Sequence, residues 1–181
     1  MIVYHGSIEI LKNPDVMHSK KYLDFGQGFY LTTFENQAKK WAARKGMRQK
    51  KTPIVNVYEM SEEWQNLKVL SFEKENEEWL DFVTNNRLGI DNSKKYEKYD
   101  VLIGPTAENK VFDAVNEYIN KNFAKEKVFQ YMNKSGYDIQ IVFKAEKAIQ
   151  SLEFIQRETL EHDEKAFIKT QTNKKERYKK S

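Results

Sequence analysis

The amino-acid sequence predicts a single α+β domain, and three observations lead to this expectation. The chain has 181 residues, which is the length of one ordinary domain. Apolar runs of strand length recur between residues 2 and 155, and stretches with helical apolar periodicity lie between them. The two kinds of segment do not follow the regular strand–helix–strand rhythm of a doubly wound parallel sheet. We therefore expect a sheet flanked by helices in an α+β arrangement.

The N-terminal segment predicts two strands separated by a loop. Residues 2–5 are an apolar run that we expect to end at Gly6-Ser7, with Ile8–Ile10 continuing after a kink. Residues 11–25 are polar and irregular. Phe29–Leu31 predicts the second strand, because aromatic and apolar residues follow a flexible glycine pair.

A helix is expected next, beginning near Thr32. Thr32 and Glu35 have the spacing of a capping box, in which the two side chains cap each other's backbone amides. Gly46 is the expected end of the helix. The apolar residues that share one helical face are Phe34, Ala38, Trp41 and Ala42.

The rest of the chain predicts further strands and helices in mixed order. The expected strands are Ile54–Met60, Leu67–Phe72, Tyr99–Ile103, Ile139–Phe143 and Leu152–Ile155. The expected helices cover about 74–86, a segment capped by Thr106, 124–132 and 145–152.

The composition excludes several classes of protein. Hydrophobic residues make up 39% of the chain and aromatic residues 13%, which is enough for a core and argues against disorder. There is no cysteine, so disulfides and thiolate metal sites are excluded. The three histidines, His5, His18 and His162, match no short metal motif, and we expect no metal. No apolar run has the length of a membrane span and no signal peptide is evident, so we expect a cytoplasmic protein without membrane contact.

Charge is distributed unevenly along the chain. Residues 39–51 carry seven basic residues and no acidic one, whereas residues 59–81 are acidic. A basic helix face attracts phosphates or is simply solvated, and we select Lys40, Arg44, Lys45 and Arg48 as candidate acceptor-binding residues. We expect residues 1–168 to form the domain and residues 169–181 to form a basic, flexible tail.

Three short stretches supply the groups that bind a nucleotide. The first is His5-Gly6-Ser7, where an imidazole adjoins a glycine whose backbone a ligand can approach closely. The second is Gly28-Phe29-Tyr30, and the third is the helix with Trp41, eleven residues after Tyr30. Tyr30 and Trp41 are each equally compatible with a place in the core. Two aromatic rings that bracket a flat ligand add about 1 kcal/mol beyond simple burial, and a cationic ring adds a cation–π attraction.

These stretches resemble the motifs of the ADP-ribosyltransferase superfamily. Tyr4-His5-Gly6-Ser7 is similar to the His-Gly-Ser/Thr motif of its poly(ADP-ribose) polymerase-like branch, and Gly26–Thr32 is similar to that branch's Gly-x-Gly-Ile-Tyr motif. The chain as a whole resembles the bacterial DUF3990 family, which is grouped with these enzymes. The stretches that carry this likeness are Leu23–Tyr30, Gln37–Ala42, Tyr99–Asn109 and Gln140–Phe154.

The resemblance implies a split, curved β-sheet with NAD in a cleft, and a reaction that transfers ADP-ribose from NAD to an acceptor. It assigns NAD binding to His5, Gly6, Ser7, Gly28, Tyr30 and Trp41. It makes His5, Tyr30 and Gln140 the catalytic residues. In the polymerase-like branch, a serine that contacts the nicotinamide amide falls near Ala38 of this chain, so that contact is expected to be missing.

The third motif departs from the pattern of the superfamily. Many of these enzymes have a glutamate on a late strand, and here the matching position is Gln140. A glutamine can orient a ribose but brings no negative charge to a developing oxocarbenium ion. Three alternatives stay open: Gln140 suffices, Asp138 or Glu146 substitutes, or the protein binds NAD without turnover.

The resemblance also implies a biological setting. We expect a mono-ADP-ribosyltransferase toxin of a toxin–antitoxin or phage-defence system, with an antitoxin protein as a candidate partner. Nucleic acid, either RNA or DNA, is slightly favoured over protein as the acceptor, because the basic residues 39–51 border the site. The alternatives are a non-catalytic NAD- or nucleic-acid-binding module and, more weakly, a basic RNA-binding protein without an NAD site.

Overall fold

The computed structural model describes residues 1–74, 76–90, 93–107, 110–132 and 138–160. The strands are β1 (Ile2–Ser7), β2 (Phe29–Thr32), β3 (Ile54–Met60), β4 (Val69–Ser71), β5 (Val101–Pro105), β6 (Ile139–Phe143) and β7 (Leu152–Thr159). The helices are α1 (Glu35–Gln49), α2 (Glu77–Leu88), α3 (Ser93–Tyr96), α4 (Lys110–Ile119), α5 (Lys125–Met132) and α6 (Glu146–Ile149), with a 3-10 helix at Glu62–Asn66. The predicted α+β class is confirmed. The predicted boundary at residue 168 and the tail 169–181 lie outside the described residues.

The seven strands form one mixed, curved and unclosed sheet. Their order is β4-β5-β6-β2-β1-β3-β7. β4 and β5 are parallel, and every other neighbouring pair is antiparallel.

The sheet is weakly joined at its centre, between β1 and β2. β1 pairs with β3 along six residues, and β2 pairs with β6 along four. β1 and β2, in contrast, share the single pair Tyr4–Thr32. A regular antiparallel ladder would continue with the pairs His5–Leu31 and Gly6–Tyr30. We call the place where these pairs are absent the seam.

Two groups of helices cover one face of the sheet on either side of β2. Helix α1 packs on β1 and β3, where its alanines meet Val55 and Val57. Helices α2, α4 and α5 cover β4, β5 and β6 through a cluster that includes Trp79 and Leu102. A further cluster, with Leu31 at its centre, fills the opposite face. This arrangement leaves β2 between the two groups of helices.

The expected capping box is absent from the start of α1. The residue that precedes the helix is Phe34, and its side chain makes no cap hydrogen bond. The Thr32 hydroxyl donates instead to the carbonyl of Ile139 and accepts from the amide of Phe34. The hydroxyl is held by β6, a strand more than 100 residues away in sequence, so the local capping pattern is overridden.

Several predicted boundaries are wrong by a few residues because tertiary pairing extends the elements. β1 continues through Gly6-Ser7, which pair with Val55 and Ile54, and Ile8–Ile10 is not a strand. Helix α1 passes Gly46 and ends at Gln49, and the capping residue Lys50 adopts a left-handed conformation with φ 54°. β7 is longer than expected, because it pairs with β3 as far as Thr159.

Candidate active site at the seam

The imidazole of His5 bridges the seam. Its Nδ1 lies 2.6 Å from the carbonyl oxygen of Tyr30. Because a carbonyl only accepts hydrogen bonds, Nδ1 carries the proton and Nε2 of the neutral ring carries the lone pair. The ring is stacked on Phe29, with centroids 4.5 Å apart. Nε2 is thereby defined as a hydrogen-bond acceptor for a hydroxyl group.

His5 stays neutral at physiological pH. The side chain is 8% exposed. Burial, with the positive charge of Lys45 adding to it, lowers the pKa of His5 to about 3, although the hydrogen bond to Tyr30 acts in the opposite direction. His5 is therefore suited to accept a hydrogen bond and unsuited to donate a proton as a general acid near pH 7.

Lys45 occupies the other side of the seam. Its Nζ donates to the carbonyl oxygen of Gly6 at 2.7 Å. The main-chain carbonyls of Gly6 and Tyr30, two residues that a regular ladder would pair, are thus both bonded to side chains. Burial and then the charge of Arg48 lower the pKa of Lys45 to about 8, with Glu9 acting in the opposite direction. Lys45 was selected from the sequence as a candidate acceptor-binding residue, and in the structure its amine is hydrogen bonded to the Gly6 carbonyl.

The two glycines of the predicted site are required by packing. A Cβ at Gly6 would lie 2.2 Å from the carbonyl oxygen of Ala38, so α1 can approach β1 only because residue 6 is glycine. A Cβ at Gly28 would lie 2.6 Å from the carbonyl oxygen of Phe143. These close approaches are made by the protein itself, and they set the spacing of α1 and β6 around the seam.

Tyr30 lies between the two groups of helices. Its hydroxyl accepts from the amide of Phe25 at 3.1 Å and donates to the carbonyl of Gly26 at 2.6 Å. Its ring packs against the cluster under α2 and α4. Burial and then the negative charge of Asp24 raise the pKa of Tyr30 well above its usual value, so the phenol remains protonated. Two hydrogen bonds and the packing of its ring thus hold the Tyr30 side chain in place beside the seam.

Trp41 and Gly6 lie together. A Cβ at Gly6 would lie 2.8 Å from Cβ of Trp41, so the tryptophan leaves α1 directly above the first motif. The indole is partly exposed. The described geometry therefore brings Trp41, Gly6 and Lys45 to one edge of the seam, with Tyr30 on the strand beyond it.

Gln140 faces the same side of the sheet as Tyr30 but is already hydrogen bonded. It pairs with Thr32 on β2 and with Gly104 on β5, and partners across a sheet share a face. The side chain is 3% exposed, and Nε2 donates to the carbonyl of Pro105 at 3.2 Å. The indole N–H of Trp79 donates to the same carbonyl. Gln140 thus fixes the end of β5 beside the seam.

The two alternative carboxylates differ in their surroundings. Glu146 lies at the start of α6, and its Oε1 accepts from the amide of Val16 at 3.1 Å. It therefore holds the loop that precedes β2. Asp138 directly precedes β6, and its carbonyl accepts from the amide of Thr106. Asp138 is one residue from the end of β6 that carries Gln140.

The remaining predicted site residues lie around this centre. Ser7 is buried at the end of β1, and its hydroxyl accepts from the amide of Glu9. Lys40, Arg44 and Arg48 follow one another at intervals of four along α1, so they form one ridge of the helix. We call them the basic ridge.

Sequence reasoning missed two side chains that shape the site. Phe29 supplies the surface on which His5 stacks. Lys144, directly after β6, donates to the carbonyls of Phe25 and Gln27 and so holds the loop that bears Tyr30's hydroxyl partners. Burial lowers the pKa of Lys144 to about 8. A lysine directly after a predicted strand gives no sequence signal for such a role.

Two kinds of feature are absent from the described residues. Within residues 1–74, 76–90, 93–107, 110–132 and 138–160, no group of three or more histidine or acidic side chains is placed to hold a metal ion. In the same part of the chain, no helix has both the length and the apolar character needed to cross a membrane.

Comparison with known proteins gives one family. No curated protein matches the chain. Residues 1–154 match the model of a family described as "Protein of unknown function (DUF3990)". The match covers His5, Tyr30, Trp41 and Gln140, together with all strands except the end of β7. The chain therefore belongs to the DUF3990 family.

Proposed function

We propose that this protein is a mono-ADP-ribosyltransferase that takes ADP-ribose from NAD and transfers it to a macromolecular acceptor. The observation that carries the proposal is the seam itself. His5, Gly6, Tyr30 and Trp41 lie around the point where two antiparallel ladders separate, with the His5 ring on the Phe29 face of the sheet and the Tyr30 ring on the opposite face. This combination offers a hydroxyl acceptor, main-chain polar groups and two aromatic side chains within one small region of the fold.

In the proposed reaction, the bond between C1′ of the ribose and the nicotinamide nitrogen breaks. The bonding electrons stay with the nicotinamide, which leaves as a neutral molecule. The acceptor nucleophile forms the new bond to C1′ and loses its proton to water. Because the leaving group is cationic before the bond breaks, no strong general acid is needed, which agrees with the neutral state of His5.

Each side chain has a role in this reaction that follows from its position. Nε2 of His5 accepts a hydrogen bond from a ribose hydroxyl. Tyr30 and Trp41 pack against the nicotinamide ring, and Gly6 presents its main chain to the carboxamide. The Gly6 carbonyl oxygen accepts from Lys45 and keeps a second lone pair for the carboxamide. Most of the rate acceleration then comes from positioning of NAD and from fixed dipoles.

Gln140 contributes orientation rather than charge. Its amide is neutral and fixed to Pro105, so it supports the ribose or the acceptor only through hydrogen bonds. Ser7 and Gly28 complete the proposed NAD site by shaping the ends of β1 and β2. The basic ridge of Lys40, Arg44 and Arg48 is the proposed contact for the acceptor, which makes nucleic acid slightly favoured over protein.

The proposed setting is cytoplasmic, as a bacterial toxin of a toxin–antitoxin or phage-defence system that an antitoxin protein would restrain. Induced expression in a bacterial host should then stop growth, and His5→Asn should relieve the arrest at an equal protein level. Normal growth with abundant wild-type protein would contradict the toxin role without bearing on NAD cleavage.

A second function is favoured by one observation, the absence of a negative charge at position 140. A protein that binds NAD or a nucleic acid without catalysis would keep the seam and need no carboxylate there. Such a module would show a higher melting temperature with NAD and would release no nicotinamide.

The test uses purified protein, labelled NAD and a bacterial lysate. His5→Asn is the test variant, because asparagine keeps a donor near Nδ1 but has no acceptor at the place of Nε2. His18→Asn, at an exposed position, is the matched control. Label that nuclease removes identifies a nucleic-acid acceptor, and label that protease removes identifies a protein acceptor. If wild-type protein neither labels the lysate nor releases nicotinamide, the enzyme is excluded, and a shift of melting temperature with NAD would support the binding module.

A further inference from the structure

Helix α1 contains a buried side-chain amide whose polar atoms are both unsatisfied. Gln37 is 1% exposed, and neither its Nε2 nor its Oε1 has a hydrogen-bond partner. Leaving a buried donor or acceptor unpaired costs about 1–3 kcal/mol. Buried side-chain polar atoms in native proteins almost always have a hydrogen-bond partner, so both ends of this amide call for one.

The position of Gln37 on the helix relates it to the seam. Gln37, Trp41 and Lys45 follow one another at intervals of four, so they lie along one side of α1. Lys45 reaches the Gly6 carbonyl from this side. The side of α1 that bears Gln37 is therefore the side that faces the seam.

The opposite side of α1 confirms this orientation. Lys39 pairs with Glu158 of β7 at 3.7 Å, so its side of the helix faces β3 and β7. Gln37 is two residues before Lys39, about 200° away around the helix axis. Its side chain consequently leaves the helix on the side away from β3 and β7, where α1 adjoins β2.

The chemistry of a primary amide limits what it can bind. Gln37 offers N–H donors and a carbonyl acceptor side by side, and another primary amide offers the same pair in reverse. A carboxamide can therefore satisfy both ends of Gln37 at once, whereas a carboxylate only accepts. Lys45 uses one of the two lone pairs of the Gly6 carbonyl oxygen, and Gln37 would give a carboxamide at the seam a second partner beside the Gly6 main chain.

We propose that Gln37 binds the carboxamide of the nicotinamide ring while the ring packs against Trp41. Gln37 would supply the hydrogen bond to the nicotinamide amide that the methyl side chain of Ala38 cannot make. This inference rests on the proposed function, and it adds a residue that selects a carboxamide-bearing ring over the corresponding acid.

The test compares Gln37→Met with Gln49→Met, a matched change at an exposed position of the same helix. Methionine has a similar shape and no amide. Nicotinamide is the probe, nicotinate is the reference ligand, and both melting temperature and dissociation constants are measured. We expect Gln37→Met to weaken nicotinamide binding about tenfold, as loss of one buried hydrogen bond would. The variant should melt at the same temperature as wild type or higher, because the unpaired amide has been removed.

A purely structural Gln37 predicts the reverse pattern, a lower melting temperature with unchanged preference for nicotinamide over nicotinate, and that result would overturn the inference. Gln37→Leu is the second variant should methionine disturb the helix. If the wild-type protein releases nicotinamide from NAD and both variants do so with unchanged KM, the inference fails while the proposed function stands. If the wild-type protein binds neither NAD nor nicotinamide, the proposed function fails, and the inference fails with it.

Discussion

The imidazole of His5 bonds to the backbone of β2 where the pairing of β1 with β2 is interrupted, and this position determines its ionisation. Its Nδ1–H donates to the Tyr30 carbonyl, while burial and Lys45 lower its pKa to about 3. Protonation would place a second positive charge beside Lys45 in a buried setting. The neutral ring is thus a property of the fold, and it has a consequence for stability that can be measured.

We expect the free energy of unfolding to fall as the pH is lowered from about 6.5 toward 4.5. In this window the unfolded chain binds a proton at residue 5 and the folded protein does not, so acid favours the unfolded state. The slope is at most about 1.4 kcal/mol per pH unit. Lys45 and Lys144, with pKa values lowered to about 8, remain protonated in both states below pH 7 and add no slope there.

Urea unfolding at a series of pH values measures this slope. His5→Asn should flatten the curve over the same window, and His18→Asn at its exposed position serves as the control. If His5→Asn and wild type keep the same slope between pH 6.5 and 4.5, His5 is not the buried neutral group described above.

Gln140 invites the substitution that would restore an acidic third motif, and we expect that change to be harmful. Gln140→Glu removes one of the two donors to the Pro105 carbonyl and places a carboxylate beside that oxygen, at a residue that is only 3% exposed. The loss of stability should be about 1–3 kcal/mol, as for other unpaired buried groups.

Chemical denaturation measures that loss, and release of nicotinamide is followed in the same preparations. Gln140→Met, which removes the amide without adding a charge, is the control for size. A stable Gln140→Glu protein with faster nicotinamide release would show instead that the glutamine position accepts the acid of the superfamily motif.

Helix α1 is the element that joins the proposed chemistry to the proposed acceptor. Its inner side packs on β1 through Gly6, one flank carries Gln37, Trp41 and Lys45, and the next ridge carries the basic residues. A ligand at the seam and a polyanion on the basic ridge would therefore contact neighbouring sides of the same helix. This arrangement predicts that acceptor binding depends on salt, whereas nicotinamide binding does not.

We expect the combined change Lys40→Gln, Arg44→Gln and Arg48→Gln to weaken binding of a fluorescent single-stranded RNA. Each lost phosphate contact lowers the slope of log affinity against log salt by about 0.7, so three contacts lower it by about 2. Fluorescence anisotropy at several salt concentrations measures the slope. The control changes Lys12, Lys20 and Lys21 to glutamine. These lysines are exposed and lie before β2, and their substitution removes the same amount of positive charge. Equal slopes for the two variants would show that net charge, and not the ridge, governs binding.

Sequence patterns predicted the elements better than the contacts between them. β3, β5 and β6 follow directly from apolar runs, because burial of a strand leaves a local record in the sequence. Three features depend instead on partners far along the chain. The Thr32 hydroxyl is bonded to β6, the glycine at position 6 is required by the close approach of α1, and the Lys45 amine is bonded to β1. No local pattern contains that information, so the capping box was wrong and the place of Lys45 was not predicted.

The sheet consists of two halves that are joined by a single residue pair between β1 and β2. β3 and β7 extend β1 on one side, and β4, β5 and β6 extend β2 on the other. In the described residues, β1 and β2 are connected by the backbone pair Tyr4–Thr32 and by the hydrogen bond from the His5 side chain to the Tyr30 carbonyl. Local opening is expected where few hydrogen bonds hold the backbone, so the seam should be the least protected part of the sheet.

Hydrogen–deuterium exchange followed by mass spectrometry tests this expectation. Peptides that contain Gly6 and Phe29–Leu31 should exchange faster than peptides from the β3–β7 ladder. His5→Asn should change exchange at the seam and leave β3–β7 unaltered, since the substituted side chain lies on the link between the ladders. NAD should slow exchange in the seam peptides, because a ligand bound there replaces the missing rung. Slow exchange at the seam without NAD would mean that the two ladders are joined as firmly as the rest of the sheet. Protection by NAD confined to another region would place the nucleotide away from His5, and the proposed active site would then have to be abandoned.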